Sequence, residues 1–399
     1  MKNFFKKKLK NRMVVLFEKR ELPLVCVSIT NRFGGAYENS EIKGIAHFIE
    51  HLVFTGTKTR THEDISREIE KKGGILNAFT SNEITSFYFK MPSEHLFSGL
   101  DILVDILKNP KFDKEKFEKE KKVILEEIKM YKDDPQKHVF EKIEEVMFEK
   151  PFGEGVIGSV ETVSALDRDF VYEFYKKAYS PENYIVSVVG NADFGEICEY
   201  MEKNFRSEGR GMKELKIGKK KGNIEVKREG IDQANFIFAM HAPLMGDKKY
   251  PILEVLDAYL GDGMSSRLFL KIREEKGLAY TVKSAINAEK DYSYYLIYVG
   301  TTKDKVLEVK ELIIEEFAKI KDMKENDLKE AKDRVIGLRH VAREESSRVM
   351  QELIFAELVG NAEDYYNYEE RIKEVNLDDV KKLALELIKS YSTASVVPK

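Results

Sequence analysis

Two stretches of this chain, about 204 residues apart, resemble each other closely enough to limit the folds open to it. Residues 70–73 read Glu-Lys-Lys-Gly and residues 274–277 read Glu-Glu-Lys-Gly, and each is followed by a segment with the composition of a β-strand. A charged amphipathic helix near 112–131 likewise resembles one near 323–343. We infer that the chain contains the same arrangement of helices and strands twice.

The length of 399 residues accommodates two such copies as separate domains. A segment rich in lysine, arginine and glycine, 207–222, is the natural linker, so we predict domains at 1–210 and 222–399. Short strands occur in adjacent pairs between longer amphipathic helices. This order predicts an α+β fold in which each domain is a β-sheet covered by helices.

Residues 47–51 read His-Phe-Ile-Glu-His within an apolar segment that has the pattern of a helix. Two histidines four positions apart project from the same helix face, within reach of one cation, and Glu50 lies on that face as well. Imidazole nitrogen suits zinc, and a catalytic zinc usually has three protein ligands. The alternative is a pair of surface histidines, His47 and His51, beside an unrelated glutamate.

A third ligand is available on the amphipathic helix predicted over 114–131. Its apolar stripe contains Phe117, Val123 and Ile124, and continues to Ile128 and Tyr131. Two of its glutamates, at positions 120 and 127, fall within this stripe, where a carboxylate is costly unless it is paired or binds a metal. Either one completes a zinc site with the histidines, unless both pair with lysines such as the one at position 121.

These residues resemble the inverzincin zinc metallopeptidases, the pitrilysin-like M16 family, which includes subunits of the mitochondrial processing peptidase. The resemblance implies that His47, His51 and Glu127 bind one zinc ion per chain. It also implies that Glu50 is the catalytic base and that Glu120 is a second catalytic carboxylate that supports the site.

The strand after Gly74 resembles the segment with which the family binds its substrates. Its residues Asn77, Ala78, Phe79 and Thr80 would then form an open edge on which an extended peptide pairs as an additional strand. The alternative is an ordinary hairpin strand, which the aromatic and β-branched residues also favour.

In the second repeat, Arg273 and Tyr280 match a pair that family members use on the substrate. Both side chains can donate hydrogen bonds to a peptide carbonyl that gains negative charge, which implies catalytic and substrate-binding roles. Otherwise Arg273 is a surface residue paired with a carboxylate and Tyr280 packs on a strand. This repeat has lost the metal ligands, since the positions that match the two glutamates are Ala331 and Leu338, or Lys332 and Arg339.

The composition excludes several classes of function. A net charge of −3 and a pI near 6.3 give no basic field for nucleic acid. No apolar run has the length of a membrane span, so we expect a soluble, cytoplasmic protein.

The resemblance predicts a zinc-dependent endopeptidase that hydrolyses unfolded peptides inside a closed chamber formed by two chains. We expect a homodimer, with a heterodimer containing a related metal-free chain as the alternative. A catalytically silent structural or assembly subunit is the main competing hypothesis, and a zinc hydrolase of non-peptide substrates is a third. Retention of all the site residues favours the peptidase over the silent subunit.

Overall fold

The computed structural model describes residues 3–206 and 211–399 and confirms the α+β fold. The strands form two sheets. Their bounds are β1 (Phe4–Lys8), β2 (Val14–Lys19), β3 (Leu24–Asn31), β4 (Ile75–Thr80), β5 (Thr85–Pro92), β6 (Tyr184–Gly190), β7 (Asn223–Arg228), β8 (Ala234–His241), β9 (Ala279–Ala288), β10 (Ser293–Thr301) and β11 (Ser392–Pro398).

The helices lie between the strands in both halves of the chain. Their bounds are α1 (Ile45–Val53), α2 (His62–Glu70), α3 (Leu96–Lys108), α4 (Lys114–Asp133), α5 (Pro135–Met147), α6 (Val160–Ala165), α7 (Arg168–Ala178), α8 (Phe194–Asn204), α9 (Tyr250–Leu260), α10 (Arg267–Phe269), α11 (Val306–Ala318), α12 (Glu325–Ala342), α13 (Ser346–Val359), α14 (Asp364–Lys373) and α15 (Leu377–Leu387). A π-helical turn, Leu270–Glu275, directly follows α10.

The two sheets share one topology, which confirms the two predicted repeats. The first has the strand order β1-β2-β6-β3-β5-β4 and the second has the order β7-β11-β8-β10-β9. Each sheet contains one parallel pair, β2 with β6 and β7 with β11, and its other neighbours are antiparallel. Within the described residues, β1 is the one strand without a counterpart in the other sheet.

The chain forms two compact units, and neither unit is continuous in sequence. Unit 1 contains the first sheet and consists of Met1–Lys129, Gly155–Leu215 and Ala342–Tyr365. Unit 2 contains the second sheet and consists of Met130–Glu154, Lys216–Val341 and Tyr366–Lys399. Each sheet is therefore covered in part by a helix from the other half of the sequence. The predicted domain limits, 1–210 and 222–399, stay a prediction.

Helices α13 and α5 each cover the sheet that is formed by the other half of the sequence, and each packs on the central strands of that sheet. In unit 1, α13 packs against β3 and β6, and the hydroxyl of Ser187 donates to the carbonyl of Met350 at 3.0 Å. In unit 2, α5 packs against β8 and β11. Every residue of β6 is buried, which explains its nearly continuous apolar sequence.

The predicted linker overlaps a stretch without helices or strands. Residues 211–222 contain no regular element, and β7 begins at Asn223. The part of the linker at 207–210, including Arg210, lies outside the described residues. Over the ranges that the structure describes, no helix has both the length and the apolar character needed to cross a bilayer. The cytoplasmic location stays a prediction.

Candidate metal centre and active site

A buried carboxylate fixes the start of α1, the helix that contains His47, Glu50 and His51. Glu38 accepts hydrogen bonds from the backbone amides of Gly44 at 3.0 Å and Ala46 at 2.7 Å. A negative charge at a helix N-terminus satisfies its free N–H groups and interacts favourably with its dipole. Gly44 has a φ of 98°, which favours glycine, and a Cβ there would lie 2.8 Å from the carbonyl oxygen of Ile157.

Helix α4 lies against α1 and brings its glutamates to the histidines. The rings of Phe48 and Phe117 pack with centroids 4.7 Å apart. Phe117 and Ile124 are buried in this contact region, and Glu120 and Glu127 are half-buried on the same side of α4. The spacing of three, four and three residues between these four positions keeps them on one helix face.

The structure brings three candidate ligands together in unit 1. Ligand atoms of His47, His51 and Glu127 all lie within 4.8 Å of one another. Glu127 Oε2 is 3.8 Å from His47 Nε2 and 3.7 Å from His51 Nε2. On the other side of the His51 ring, Glu120 Oε2 is 3.4 Å from Nδ1.

These distances fit a zinc ion. Tetrahedral zinc with bonds of about 2.0–2.1 Å holds its ligand atoms about 3.4 Å apart, slightly closer than the 3.7 and 3.8 Å separations found here. The same separations are too long for hydrogen bonds. Zinc-binding histidines commonly orient their second ring nitrogen towards a carboxylate, and Glu120 occupies that place beside His51. The role of each residue stays a prediction.

The electrostatics of the site also favour a cation. Burial, with a smaller contribution from His51, lowers the pKa of His47 to about 3, so this imidazole is neutral and its lone pair is available at neutral pH. Burial also tends to lower the pKa of His51, but Glu120, Glu50 and Glu127 outweigh that effect and raise it. Three carboxylates around two imidazoles thus favour positive charge at this point.

Glu50 lies beside the candidate ligands and is held by a residue of β4. The hydroxyl of Thr80 donates to Glu50 Oε2 at 2.5 Å. Burial raises the pKa of Glu50 and the charge of Glu127 adds to this effect, whereas the Thr80 hydrogen bond and the neighbouring His51 oppose it. A carboxylate with a raised pKa is suited to accept and return a proton near neutral pH.

The helix predicted to supply the third ligand is present, with one difference from expectation. Helix α4 extends over Lys114–Asp133, but Val123 is 45% exposed and does not belong to the buried stripe. The alternative, in which the inward glutamates pair with Lys121, is not found among the described residues. That lysine instead donates to the carbonyl oxygens of Leu166 at 2.8 Å and Ser164 at 3.3 Å.

The predicted substrate residues Asn77, Ala78, Phe79 and Thr80 lie in β4, at the edge of the first sheet. The amide of Ala78 donates to the side chain of Asn77 at 2.8 Å, so the backbone donor at the centre of this strand is bonded to a side-chain oxygen. Because β4 is the last strand of its sheet, a further strand can pair with its outer side. That a substrate uses this edge stays a prediction.

Arg273 and Tyr280 belong to unit 2, whereas the candidate metal ligands belong to unit 1. The guanidinium of Arg273 lies 5.0 Å from the ring centroid of Tyr280 and 4.8 Å from that of Phe269. It also approaches Glu274 at 3.5 Å. Tyr280 is 77% exposed, which argues against the alternative in which its side chain packs within the strand.

Sequence reasoning missed two features of the site. The first is the buried pair of Glu38 and Lys43. In the sequence this pair is marked only by two charged residues shortly before α1. The second is the contact between Thr80 and Glu50, which has a counterpart in the other repeat, where Ser284 donates to Asp257. Ser284 lies 204 residues after Thr80, the same separation as the repeated tetrapeptides.

The chain matches two protein-family models and several curated proteins. Residues 14–159 match the insulinase model of peptidase family M16, and residues 165–335 match the model of the M16 inactive domain. An uncharacterized zinc protease of Rickettsia felis is 32% identical over 406 residues, covering 99% of this chain and 97% of that protein. The uncharacterized zinc protease YmxG of Bacillus subtilis is 31% identical, with 96% of each covered. The chain therefore belongs to peptidase family M16.

Solved structures share this fold over nearly their whole length. A protease from Helicobacter pylori matches with a TM-score of 0.93 and 21% identity, covering 99% of both chains. An M16 inactive-domain protein from Pseudomonas fluorescens matches with a TM-score of 0.90 and 17% identity, covering 100% of this chain and 98% of that one. A chain of complex III2 from Candida albicans also matches, with a TM-score of 0.85 and 15% identity over 98% of this chain and 95% of that one.

Proposed function

We propose that this protein is a zinc-dependent endopeptidase that hydrolyses unfolded peptides. The observation that carries the proposal is the convergence of His47, His51 and Glu127 within 4.8 Å, with the carboxylate of Glu50 beside them. This is the arrangement that metal-assisted hydrolysis requires, namely three ligands and a separate base. The names of the relatives, which are zinc proteases, support the same choice of metal and reaction.

The residues of the chain divide the chemistry between them. His47, His51 and Glu127 would hold a zinc ion, which as a Lewis acid would lower the pKa of water and polarise a carbonyl. Glu50 takes a proton from the attacking water and then gives it to the leaving amine. Thr80 orients Glu50 from the strand on which the substrate would pair, so the base and the peptide backbone are positioned by the same element.

A catalytically silent role is the second candidate. The fold itself does not separate the two roles, because it is found both in a chain described as a protease and in one described as an M16 inactive domain. The side chains favour the enzyme. A silent subunit has no need of a buried base beside three converging ligands, an arrangement that costs free energy in the absence of a cation.

Cleavage of a quenched, unstructured peptide of about 10–30 residues tests the proposal, since this length provides a strand of several paired residues. Wild type is compared with Glu50→Gln, with zinc content measured in both, and with Glu126→Gln, which changes an exposed glutamate of α4. We expect wild type and Glu126→Gln to cut and Glu50→Gln to retain zinc without cutting. Absence of cutting by zinc-loaded wild type would favour the silent role, and equal cutting by Glu50→Gln would exclude this base.

We also propose that two chains act together as a homodimer, with the partner's Arg273 and the partner's Tyr280 completing each zinc site in a closed chamber. The family resemblance supports this arrangement, and a heterodimer with a metal-free relative is the alternative. Mixing Glu50→Gln chains with Arg273→Ala chains tests it. In shared sites, each mixed dimer regains one intact site, so an equal mixture recovers about a quarter of wild-type activity. If each site is instead formed within one chain, the mixture recovers no activity.

A further inference from the structure

Arg273 and Tyr280 flank a turn that both repeats contain, but the backbone on either side of this turn differs between the repeats. In the first repeat, α2 is α-helical up to Glu70, and β4 pairs with β5 in one unbroken register. In the second repeat, the π-helical turn Leu270–Glu275 precedes the shared turn, and the register of β9 with β10 shifts by one residue. Irregularities of both kinds occur often at functional sites.

The shift in register is a β-bulge at Tyr280. Thr281 lies opposite Gly300 and Ala279 lies opposite Thr301, so Tyr280 is the additional residue on β9. A β-bulge redirects the side chains of the strand in which it occurs. The side chain of Tyr280 is accordingly mostly exposed, whereas that of Ala279 is buried.

The backbone of Leu278 connects the bulge to the π-helical turn. Its amide donates to the carbonyl of Ile272, within that turn, at 3.0 Å. Its carbonyl accepts a hydrogen bond of 2.6 Å from the hydroxyl of Thr301. Thr301 is buried at the end of β10, so water does not readily replace its hydroxyl. The start of β9 is therefore held by the π-helical turn on one side and by β10 on the other.

These two hydrogen bonds determine how Arg273 and Tyr280 meet. Arg273 directly follows Ile272, and Tyr280 is the second residue after Leu278, so the bond between Ile272 and Leu278 fixes the separation of the two backbones. The guanidinium of Arg273 lies 5.0 Å from the ring centroid of Tyr280, within the range of a cation–π contact. An exposed ring retains rotamer freedom, so its direction depends on the backbone and on this contact.

The first repeat has apolar residues at the corresponding places. The residues 204 positions before Arg273 and Tyr280 are Ile69 and Leu76. In the regular pairing of β4 with β5, Leu76 lies opposite Phe89, which is fully buried. An apolar ring thus occupies the place at which β10 presents a hydroxyl to the bulge. The hydroxyl, the bulge and the polar pair occur together in the second repeat.

We propose that Thr301 is a positioning residue, whose hydroxyl holds the bulge that presents Tyr280 beside Arg273. This role rests on the proposed peptidase function, in which Arg273 and Tyr280 act on the peptide carbonyl. Donors stabilise the charge that develops on a carbonyl only when they are oriented in advance, and small displacements cost activity. Thr301 would affect the reaction through Tyr280, without contact with the peptide.

Thr301→Val tests this role, because valine keeps the shape of the side chain and removes the donor. With the quenched peptide as substrate, we expect kcat to fall about three- to tenfold, the net value of one hydrogen bond. KM should change by less than about twofold, since the affected interaction belongs to the transition state. Thr301→Ser keeps the hydroxyl and should retain most of the rate.

The next residue along the chain provides the matched control. Thr302 is exposed, and its hydroxyl donates to Asp304 at 2.7 Å. Thr302→Val makes the same chemical change one position away, and we expect it to keep the wild-type kcat. Thermal unfolding establishes that every variant is folded at the assay temperature.

Combination with Tyr280→Phe separates positioning from a general effect on unit 2. If Thr301 acts through Tyr280, Thr301→Val has little further effect on kcat once the tyrosine hydroxyl is absent. A general structural effect lowers kcat by the same factor with tyrosine or phenylalanine at position 280. Equal factors in the two backgrounds, or a wild-type kcat in Thr301→Val, would overturn the positioning role.

Fluorine NMR measures the position of the tyrosine ring without cleavage. The chain is labelled with 3-fluorotyrosine, and Tyr280→Phe identifies the signal of Tyr280 among those of the 19 tyrosines. Arg273→Ala establishes how far this signal depends on the guanidinium. We expect Thr301→Val to move the signal towards that of free 3-fluorotyrosine and Thr302→Val to leave it in place. An unchanged signal in Thr301→Val overturns the positioning role.

The two measurements distinguish failure of the positioning role from failure of the proposed function. If zinc-loaded wild type cuts no peptide, the peptidase proposal fails, and the NMR signal still decides whether Thr301 positions Tyr280. If wild type cuts and the signal does not respond to Thr301→Val, only the positioning role fails. If Tyr280→Phe cuts as fast as wild type, Tyr280 does not act on the carbonyl, and Thr301 has no catalytic role through it.

Discussion

The hydroxyl of Thr80, on the edge strand β4, donates a hydrogen bond of 2.5 Å to the carboxylate of Glu50 on α1. This contact connects the element that would bind the peptide to the group that would move the proton. The other repeat keeps the same pairing of a hydroxyl and a carboxylate in Ser284 and Asp257. Because His47 and His51 have no histidine counterparts in that repeat, the hydroxyl–carboxylate pair does not depend on a metal.

Replacing Thr80 by valine removes the donor and keeps the shape of the side chain. A hydrogen bond to a charged group contributes about 1.5–3 kcal/mol, so we expect kcat/KM to fall about ten- to a hundredfold. Zinc content should be unchanged, since Thr80 is not among the candidate ligands. Thr80→Ser keeps the hydroxyl and should retain most of the activity. A loss in the serine variant together with full activity in the valine variant would instead assign the effect to the methyl group.

The stability of unit 2 should depend on pH through the ionisation of Asp257. Burial, opposed in part by the Ser284 hydrogen bond, raises the pKa of Asp257 to about 6 from an ordinary value of 3.8. A carboxyl with a raised pKa stabilises the fold below pH 3.8, and this contribution is lost as the pH rises through 6.

Asp257→Asn therefore should stabilise the protein above pH 6. We expect about 1–2 kcal/mol in the free energy of unfolding at pH 7.5, allowing for partial solvent screening, and a much smaller difference near pH 4. Urea unfolding at both pH values measures the effect. Asp232→Asn, in an exposed loop, is the control. A stabilisation equal at both pH values would show that the effect does not arise from ionisation.

Periodicity predicted the helices of the site but not the contacts around them. The spacing of His47 and His51 and the stripe of α4 predicted which helix faces hold the candidate ligands, since these are properties of a single helix. The pairing of Glu38 with Lys43 depends on how separate segments pack, and no local pattern encodes it. The exchange of α5 and α13 between the sheets was missed for the same reason, because an apolar stripe shows that a face is buried without showing which sheet covers it.

The two glutamates of α4 should differ in their effect on zinc. Glu127 lies between the two Nε2 atoms, whereas Glu120 approaches only Nδ1 of His51. We expect Glu120→Gln to weaken zinc binding about 10- to 100-fold, as for a residue that orients a ligand, and Glu127→Gln to weaken it further. Competition with a chromogenic chelator measures both affinities, with the exposed Glu126→Gln as control. The reverse order would make Glu120 the ligand.

The buried pair ahead of α1 should matter for stability more than any surface ion pair. Lys43 is 1% exposed, its ammonium lies 3.7 Å from the carboxylate of Glu38, and it donates to the carbonyl of Gly35 at 2.7 Å. Lys43→Met leaves Glu38 as an unpaired buried charge, which typically costs about 3–5 kcal/mol. Lys58→Met, at an exposed position, should change the free energy of unfolding by less than about 0.5 kcal/mol.

The cost of Lys43→Met should also depend on pH. Burial raises the pKa of Glu38 to about 7, and the charge of Lys43 opposes that shift, so removing the lysine raises the pKa further. At pH 5 the carboxyl in the variant is protonated and the penalty is small, whereas at pH 8 the fold must either take up a proton or hold a bare charge. Urea unfolding should therefore show a larger loss at pH 8 than at pH 5, and adding Glu38→Gln to Lys43→Met should remove this difference. A loss independent of pH would mean that Lys43 contributes mainly through its bond to Gly35.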